Sequence, residues 1–400
     1  MSLISQVLSS IKPSPTLVVA KKAAELKKSG VDIISLGAGE PDFDTPDNIK
    51  EAAIDGIKLG VTKYTNVDGM VELKEAVRVK FQRENDLNFD LDEIIVSTGA
   101  KQVIYNLFMA SLNPGDEVII PAPYWVSYPD IVLLAGGIPV FANCDIKNDF
   151  KLTRESIENA VSSKTKWLII NSPNNPTGCA YSREDLTLIA EILRKYPHVQ
   201  IMSDDIYEHI IFDNFKFYNI TQVAPDLKDR VFVVNGVSKS YSMTGWRIGY
   251  GAGNKALIKA MTIIQSQSTS NPCSISQIAA IEALNGPQGF IKTNALAFQN
   301  KRDLALSILG KVKNLVHYKP EGAFYLLPQC EQLFGLKTPK GSVVNNSNEL
   351  AEYLLEEGGV AVVPGIAFGA EGYFRISYAL SIGDIEEACN RIVIACEKLL

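Results

Sequence analysis

Short apolar runs alternate along this chain with segments of helical period, and that alternation restricts the fold more than any other feature. Asp116–Ile120, Trp167–Ile170, Ile201–Ser203 and Val231–Val234 are brief and apolar, whereas Ser182–Lys195 spaces its apolar residues as an amphipathic helix does. Strands apolar on both faces have to be sandwiched, so the pattern predicts an α/β fold: a mostly parallel sheet covered by helices on both sides. Turn residues punctuate it at Asn113-Pro-Gly-Asp116, Ala135-Gly-Gly-Ile138 and Pro173-Asn-Asn-Pro-Thr-Gly178.

The last third changes style. A long helix is predicted over Leu296–Val312, a strand over Val316–Leu327, further strands near Val360–Val363 and Tyr373–Ser377, and a final helix over Asp384–Leu400. That pattern fits a separate, smaller α+β domain. With 400 residues, 46% of them hydrophobic, the chain is long enough for two cores. We expect residues 1–47 to form an N-terminal arm and part of the small domain, 48–290 the large domain, and 291–400 the small C-terminal domain.

Charge and composition exclude several classes. A net charge of −6 with 21% charged residues gives nothing that suggests binding to nucleic acid or a membrane surface. No apolar run is long enough to span a bilayer, and Met1–Lys12 lacks a basic segment followed by an apolar one, which predicts a cytoplasmic protein. The six cysteines show neither CxxC spacing nor a dense framework, as buried thiols in a reducing compartment would. Three histidines speak against a His-based metal site or a Ser-His-Asp triad, and no metal is expected.

The chemistry centres on Lys239, in Val234-Asn-Gly-Val-Ser-Lys-Ser-Tyr-Ser-Met-Thr-Gly-Trp-Arg247. A lysine amine forms a Schiff base with an aldehyde, and the arginine fork of Arg247 pairs with a phosphate; pyridoxal phosphate asks for both. Ser97-Thr-Gly-Ala-Lys101 follows an Ile94–Val96 strand and opens a helix, so its backbone N–H groups make an anion site. Asp204, at the end of the Ile201–Ser203 strand, is placed to keep a pyridine nitrogen protonated. The competing structural explanation is that Asp204 or Asp205 caps the next helix. Tyr207 and Asn175 can donate to a ring oxygen, and the Trp125 indole can stack on the ring or sit in the core. Arg375 lies in the apolar segment Phe374-Arg-Ile-Ser-Tyr378, where an unpaired guanidinium is expensive. Its partner is either a structural carboxylate or that of a substrate.

Taken together, these segments resemble the class I pyridoxal-phosphate aminotransferases of fold type I, and within them the bacterial subgroup Ib of aspartate aminotransferases. The resemblance runs from about Lys12 to Leu400. It includes Ser35-Leu-Gly-Ala-Gly-Glu-Pro-Asp-Phe-Asp-Thr-Pro46, Tyr64-Thr-Asn-Val-Asp-Gly69, Pro123-Tyr-Trp-Val-Ser-Tyr128 and Asn171-Ser-Pro-Asn-Asn-Pro-Thr-Gly178. It implies that Lys239 is the Schiff-base lysine and proton carrier, and that Asp204 holds the pyridinium. Tyr207 and Asn175 would contact the ring oxygen and Trp125 would stack. Gly99, Ala100, Lys101, Ser238 and Arg247 would surround the phosphate. Tyr64 would reach the partner subunit's phosphate, which implies a homodimer with shared active sites. Arg375 would clamp the substrate α-carboxylate, with Gly39 where the substrate backbone passes.

Two departures stand out: Gly236 where many relatives carry a phosphate-binding serine, and Asn66 where close relatives often carry proline, implying a looser Tyr64 segment. The resemblance assigns the distal carboxylate of a dicarboxylic substrate to Lys101, with Lys12 as a second candidate. It implies ping-pong transamination between L-aspartate and 2-oxoglutarate through pyridoxamine phosphate. The alternatives among enzymes are an aromatic or prephenate aminotransferase and a fold-type I lyase or decarboxylase. A ligand-sensing, aminotransferase-like domain of a transcription regulator is the alternative from another class, opposed by the short segment before Ile33 and the acidic balance.

Overall fold

The computed structural model describes residues 3–11, 13 and 15–400. Its strands are β1 (Ile34–Ser35), β2 (Ile94–Ser97), β3 (Glu117–Ala122), β4 (Ile138–Asn143), β5 (Thr165–Asn171), β6 (Gln200–Asp204), β7 (Val231–Gly236), β8 (Gly249–Ala252), β9 (Tyr325–Leu326), β10 (Val360–Ala361), β11 (Val363–Pro364) and β12 (Phe374–Ser377). Seven of them build one sheet in the order β2-β8-β7-β6-β5-β3-β4. Every pairing in it is parallel except those of β8, which runs antiparallel to β2 and β7. The expected α/β class is the one observed.

Alternation within the strands shows why the sheet needs cover on both faces. Ile94, Val96, Leu168, Ile170, Ile201, Val231 and Val233 enter one core with helices Val71–Asn85 and Arg183–Leu193. Their neighbours Ile95, Trp167, Ile169, Met202, Phe232 and Val234 enter another with helices Ala100–Ser111 and Lys255–Ser266. Side chains of period two thus feed two apolar layers, each walled by helices. The helix predicted from Ser182 begins there: the Ser182 hydroxyl accepts from the Asp185 N–H and the Asp185 side chain accepts from the Ser182 N–H.

A third core gathers Leu36, Leu309, Tyr325, Leu354, Ile376 and Ile392. Around it lie helices Gly289–Leu309, Ser347–Glu356 and Ile382–Glu397, the antiparallel sheet β11-β12-β9 and the parallel pair β1–β10. Ile206, Tyr207, Ile210 and Phe212 also join this core, so the chain leaving β6 bridges it to the large sheet. The strand expected over Val316–Leu327 shrinks to Tyr325–Leu326. Pro320 and Ala323 (φ 57°) break the extended run, and Gly322 packs so near the Ile210 carbonyl that a Cβ would lie 2.5 Å from it. No helix among the described residues is long and apolar enough to cross a membrane.

Candidate active site

Parallel strands deliver their carboxyl ends to one edge, and here four such ends carry polar chemistry. The turn after β2, the Asn171–Gly178 turn after β5, the Asp204–Tyr207 segment after β6 and the Ser238–Lys239 turn after β7 converge on a cavity of about 530 Å³. Of the residues singled out from sequence, Gly39, Ala100, Trp125, Ser238, Arg247 and Arg375 line it along with those of the converging turns. Gly99, the residue before Ala100, is not part of the lining. Tyr64 is not part of the lining, and Lys12 lies outside the described residues, although Thr16, Leu17 and Ala20 of the following helix wall the cavity.

Lys239 donates from Nζ to the Gly39 carbonyl at 2.5 Å. Burial lowers its pKa to about 8, so near neutrality roughly a tenth of the amine is already the nucleophilic free base, far more than at an ordinary lysine. Asp204 is 4% exposed, and burial raises its pKa to about 6 even though the Tyr128 hydroxyl donates to Oδ2 at 2.6 Å. An ionised carboxylate held this way is short of a cationic partner. The Asp204 backbone continues β6, pairing Asn171 with Asp204 in register, so its position comes from the sheet rather than from capping a helix.

Arg375 is 2% exposed on β12. Its Nη1 donates to Asn175 Oδ1 at 2.9 Å and its Nη2 to the Gly37 carbonyl at 2.7 Å, while Nε is buried without a hydrogen-bond partner. The rings of Tyr325 and Phe368 flank it, 4.6 and 4.9 Å from the guanidinium carbon. Among the described residues no carboxylate pairs with it, which removes the structural-partner explanation and leaves a cation awaiting an anion.

The phosphate-type turn has the shape its sequence predicts. Gly99 adopts φ 85°, and a Cβ there would lie 2.5 Å from Arg247 Nη2. A Cβ on Gly249 would lie 2.1 Å from the Ala100 nitrogen. The first N–H groups of the Ala100–Ser111 helix have no intrahelical acceptor and point outward at its positive end. Lys101 stands at the rim, its residue open to solvent but its Nζ tucked 4.9 Å from the Trp125 ring centre, so that partial burial of the amine and then Arg247 lower its pKa. Trp125 packs edge-on against Tyr128. Gly236 has no side chain to offer here, and a Cβ on it would lie 3.0 Å from the Ile248 carbonyl and 3.1 Å from the Gly249 Cα, so the chain entering β8 crowds the space a serine would need. Ser238 faces the cavity instead.

The lining carries four cations, Lys101, Lys239, Arg247 and Arg375, against the two carboxylates of Asp204 and Glu40. That excess, the glycine cradle and the unpartnered Arg375 Nε suit a phosphorylated cofactor together with an anionic substrate. The sequence profile of the family described as Aminotransferase class I and II matches residues 31–392. The chain belongs to this family. It is similar to a Rickettsia bellii protein named "Probable aspartate/prephenate aminotransferase", 71% identical with both chains fully covered, and to the "Aspartate/prephenate aminotransferase" of Cereibacter sphaeroides, 55% identical with both fully covered. Among solved structures it resembles aspartate aminotransferase from Rhizobium meliloti (51% identity, TM-score 0.97, all of both chains). The Thermus thermophilus aspartate aminotransferase solved with maleate matches at 41% identity and TM-score 0.92, over 99% of this chain and 100% of that one. The protein is therefore an aminotransferase, and the cofactor of this family is pyridoxal 5′-phosphate.

Sequence reasoning missed Tyr128 and Tyr325. Tyr128 follows Trp125 by three residues, one helical turn, so a helix starting there would have placed both on one side. Tyr325 shares a 2.8 Å hydrogen bond with the Tyr207 hydroxyl and packs against Gly39, where a Cβ would lie 3.0 Å from its oxygen. No local signal marks it among the other aromatics of its segment. Tyr64 projects into solvent at 91% exposure from a loop held by two fully buried glutamines. Gln265 Nε2 donates to the Val67 and Val96 carbonyls, and its Oε1 accepts from Ser97 and Asn106; Gln277 donates to Thr65 Oγ1 and accepts from the Met70 N–H. These clamps supply the restraint expected to be weakened by Asn66.

Proposed function

We propose that this aminotransferase moves the amino group of L-aspartate to 2-oxoglutarate, yielding oxaloacetate and L-glutamate in two half-reactions. The observation that carries the reading is the buried Arg375, without a protein carboxylate, in the same cavity as Lys239 and Asp204. Pyridoxal phosphate, when bound, supplies an electron sink for the pair released at the substrate Cα. Arg375 binds the α-carboxylate with its fork and so orients the Cα–H bond toward Lys239. The Lys239 amine takes that proton and returns it one position away, and its lowered pKa suits both directions. Asp204 would hold the ring nitrogen in its protonated form, which would lower the Asp204 pKa in turn. Asn175 and Tyr207 would hold the ring oxygen, and Trp125 would shield the ring from water. Gly99, Ala100, Ser238 and Arg247 hold the phosphate.

Lys101 takes the distal carboxylate, in keeping with the bound maleate, a dicarboxylate, of the Thermus relative. Tyr64 serves the site of a second copy. That role accounts for a fully exposed aromatic on a clamped loop, and exposed Ile54, Ile57, Leu59 and Val71 around it in the chain offer apolar surface for a homodimer. Residues 48–290 and 291–400 act as large and small domains, with 1–47 as the N-terminal arm and part of the small domain. Six free thiols fit a cytoplasmic setting.

A second reading is favoured by the relatives named for prephenate as well as aspartate: the same cavity accepts prephenate, with Lys101 on its distal carboxylate. The test is the absorbance spectrum of the cofactor-loaded protein. L-aspartate alone should replace the visible lysine-bound band by a pyridoxamine-type band, and 2-oxoglutarate or prephenate should reverse it. A spectrum indifferent to aspartate would refute the substrate assignment.

A further inference from the structure

Behind the cavity, among residues that do not line it, a buried polar network joins the two segments that carry the reacting groups. Glu208 is its hub: Oε1 accepts from Lys80 and, at 2.6 Å, from Asn235 Nδ2 at the end of β7, while Oε2 accepts from Asn85 Nδ2 at 2.7 Å. The next residue, His209, places Nε2 at 2.9 Å from Glu84 Oε2 and Nδ1 at 3.0 Å from the Ser240 hydroxyl. Burial would raise the Glu84 pKa, but His209 and Lys80 hold it at about 2, so it is ionised and accepts from Nε2–H.

Two other uses of this cluster fail on geometry. Glu84, Glu208 and His209 lie close enough to hold a cation, but the Lys80 ammonium already stands on Glu208. The Glu84–His209–Ser240 chain has the connectivity of an acid–histidine–serine relay. Ser240, however, is buried and absent from the cavity lining, so its hydroxyl meets no substrate.

What remains is mechanical. Asp204 and Tyr207 precede His209 on the chain leaving β6, and Lys239 precedes Ser240 on the chain leaving β7. We propose that His209, anchored by Glu84, is a positioning residue: through Ser240 it fixes the Lys239 turn relative to the Asp204–Tyr207 segment. The inference rests on Lys239 being the cofactor lysine. Because the lysine must swing between cofactor and Cα proton, its backbone anchor sets where the amine can reach, and small misplacements are costly.

The experiment uses the full chain with three variants. Ser240→Ala cuts the link at the lysine turn, Glu84→Gln loosens the anchor from outside, and Ser240→Thr keeps a hydroxyl. Two rates are read: kcat with its KM for aspartate, and formation of the lysine–pyridoxal phosphate band after cofactor is mixed with cofactor-free protein. Ser240→Ala should lower both rates roughly tenfold with KM nearly unchanged, since misplacing a reacting group costs rate rather than substrate binding. Glu84→Gln should follow in the same direction, and Ser240→Thr should recover most of the loss. A lower thermal midpoint with both rates intact in Ser240→Ala and Glu84→Gln would make the network merely structural and overturn the proposal. A parent protein that never forms the band would instead refute the lysine reading beneath it.

Discussion

Arg375→Leu should separate catalysis from stability. In the folded chain the guanidinium is buried, donates to two neutral acceptors and has no carboxylate. A bidentate pair with a substrate carboxylate adds two charged hydrogen bonds at about 1.5–3 kcal/mol each, so losing both costs about 3–6 kcal/mol. At about 1.4 kcal/mol per decade, kcat/KM should fall roughly 10²- to 10⁴-fold. Stability should move differently. Leucine strands the Asn175 and Gly37 oxygens, at about 1–3 kcal/mol each, but removes a buried unpaired cation whose desolvation costs several kcal/mol. These nearly cancel, so the cofactor-free melting temperature should change little. Steady-state kinetics with aspartate and with phenylalanine, beside a thermal melt, test both halves. The loss should be similar for the two amino acids, because both carry an α-carboxylate. A loss confined to aspartate would move Arg375 to the distal carboxylate, and a collapse in melting temperature would show that the guanidinium is a structural group.

Three further outcomes are expected. Lys239 has a folded pKa of about 8, below its ordinary 10.5, so between those values the unfolded chain binds more protons and cofactor-free stability rises with pH. The rate of pyridoxal phosphate capture should likewise climb toward pH 8 and level off, whereas a rate still climbing at pH 10 would mean an unshifted amine. Asp204 has a raised pKa of about 6, so ionising it costs the cofactor-free fold stability above that pH and nothing below about 4. Asp204→Asn should therefore melt higher than the parent at pH 8 and alike at pH 4, while turnover falls by orders of magnitude; equal melting at both pH values would contradict the shift. Gly236→Ser, far from restoring a phosphate contact, should lose about 1–3 kcal/mol in denaturant unfolding, because its Cβ presses on Ile248 and Gly249. Tighter cofactor binding with unchanged stability would refute that.

Much of the site was readable because its parts are local. Lys239, Asp204 and the Ser97–Lys101 turn each sit where a strand ends, and a strand end can be found from periodicity alone. Arg375 was readable as a problem, a cation in an apolar strand, but only the fold could show that no protein carboxylate solves it. Tyr128 had a local signal in its spacing from Trp125, but Tyr325 and the Glu84–His209–Ser240 chain escaped because they join residues more than 30 positions apart, and neither spacing nor composition encodes such meetings. The same holds for Val316–Leu327: its residue types favour a strand, and tertiary contact at Gly322 forbids most of it.

The two glutamines behind Tyr64 bear on how copies of the chain would meet. A loop that had to fold upon docking would forfeit about 1–2 kcal/mol of backbone entropy per residue. Here Gln265 and Gln277 have settled that cost during folding, before a second copy arrives. Pairing in the proposed dimer then resembles the docking of two rigid bodies, limited by orientation to about 10⁵–10⁷ M⁻¹s⁻¹. Gln265 also grips Ser97, at the root of the turn proposed to hold the chain's own phosphate. One amide therefore ties the pocket a subunit owns to the tyrosine it would lend, and strain at either end would be felt across the subunit boundary.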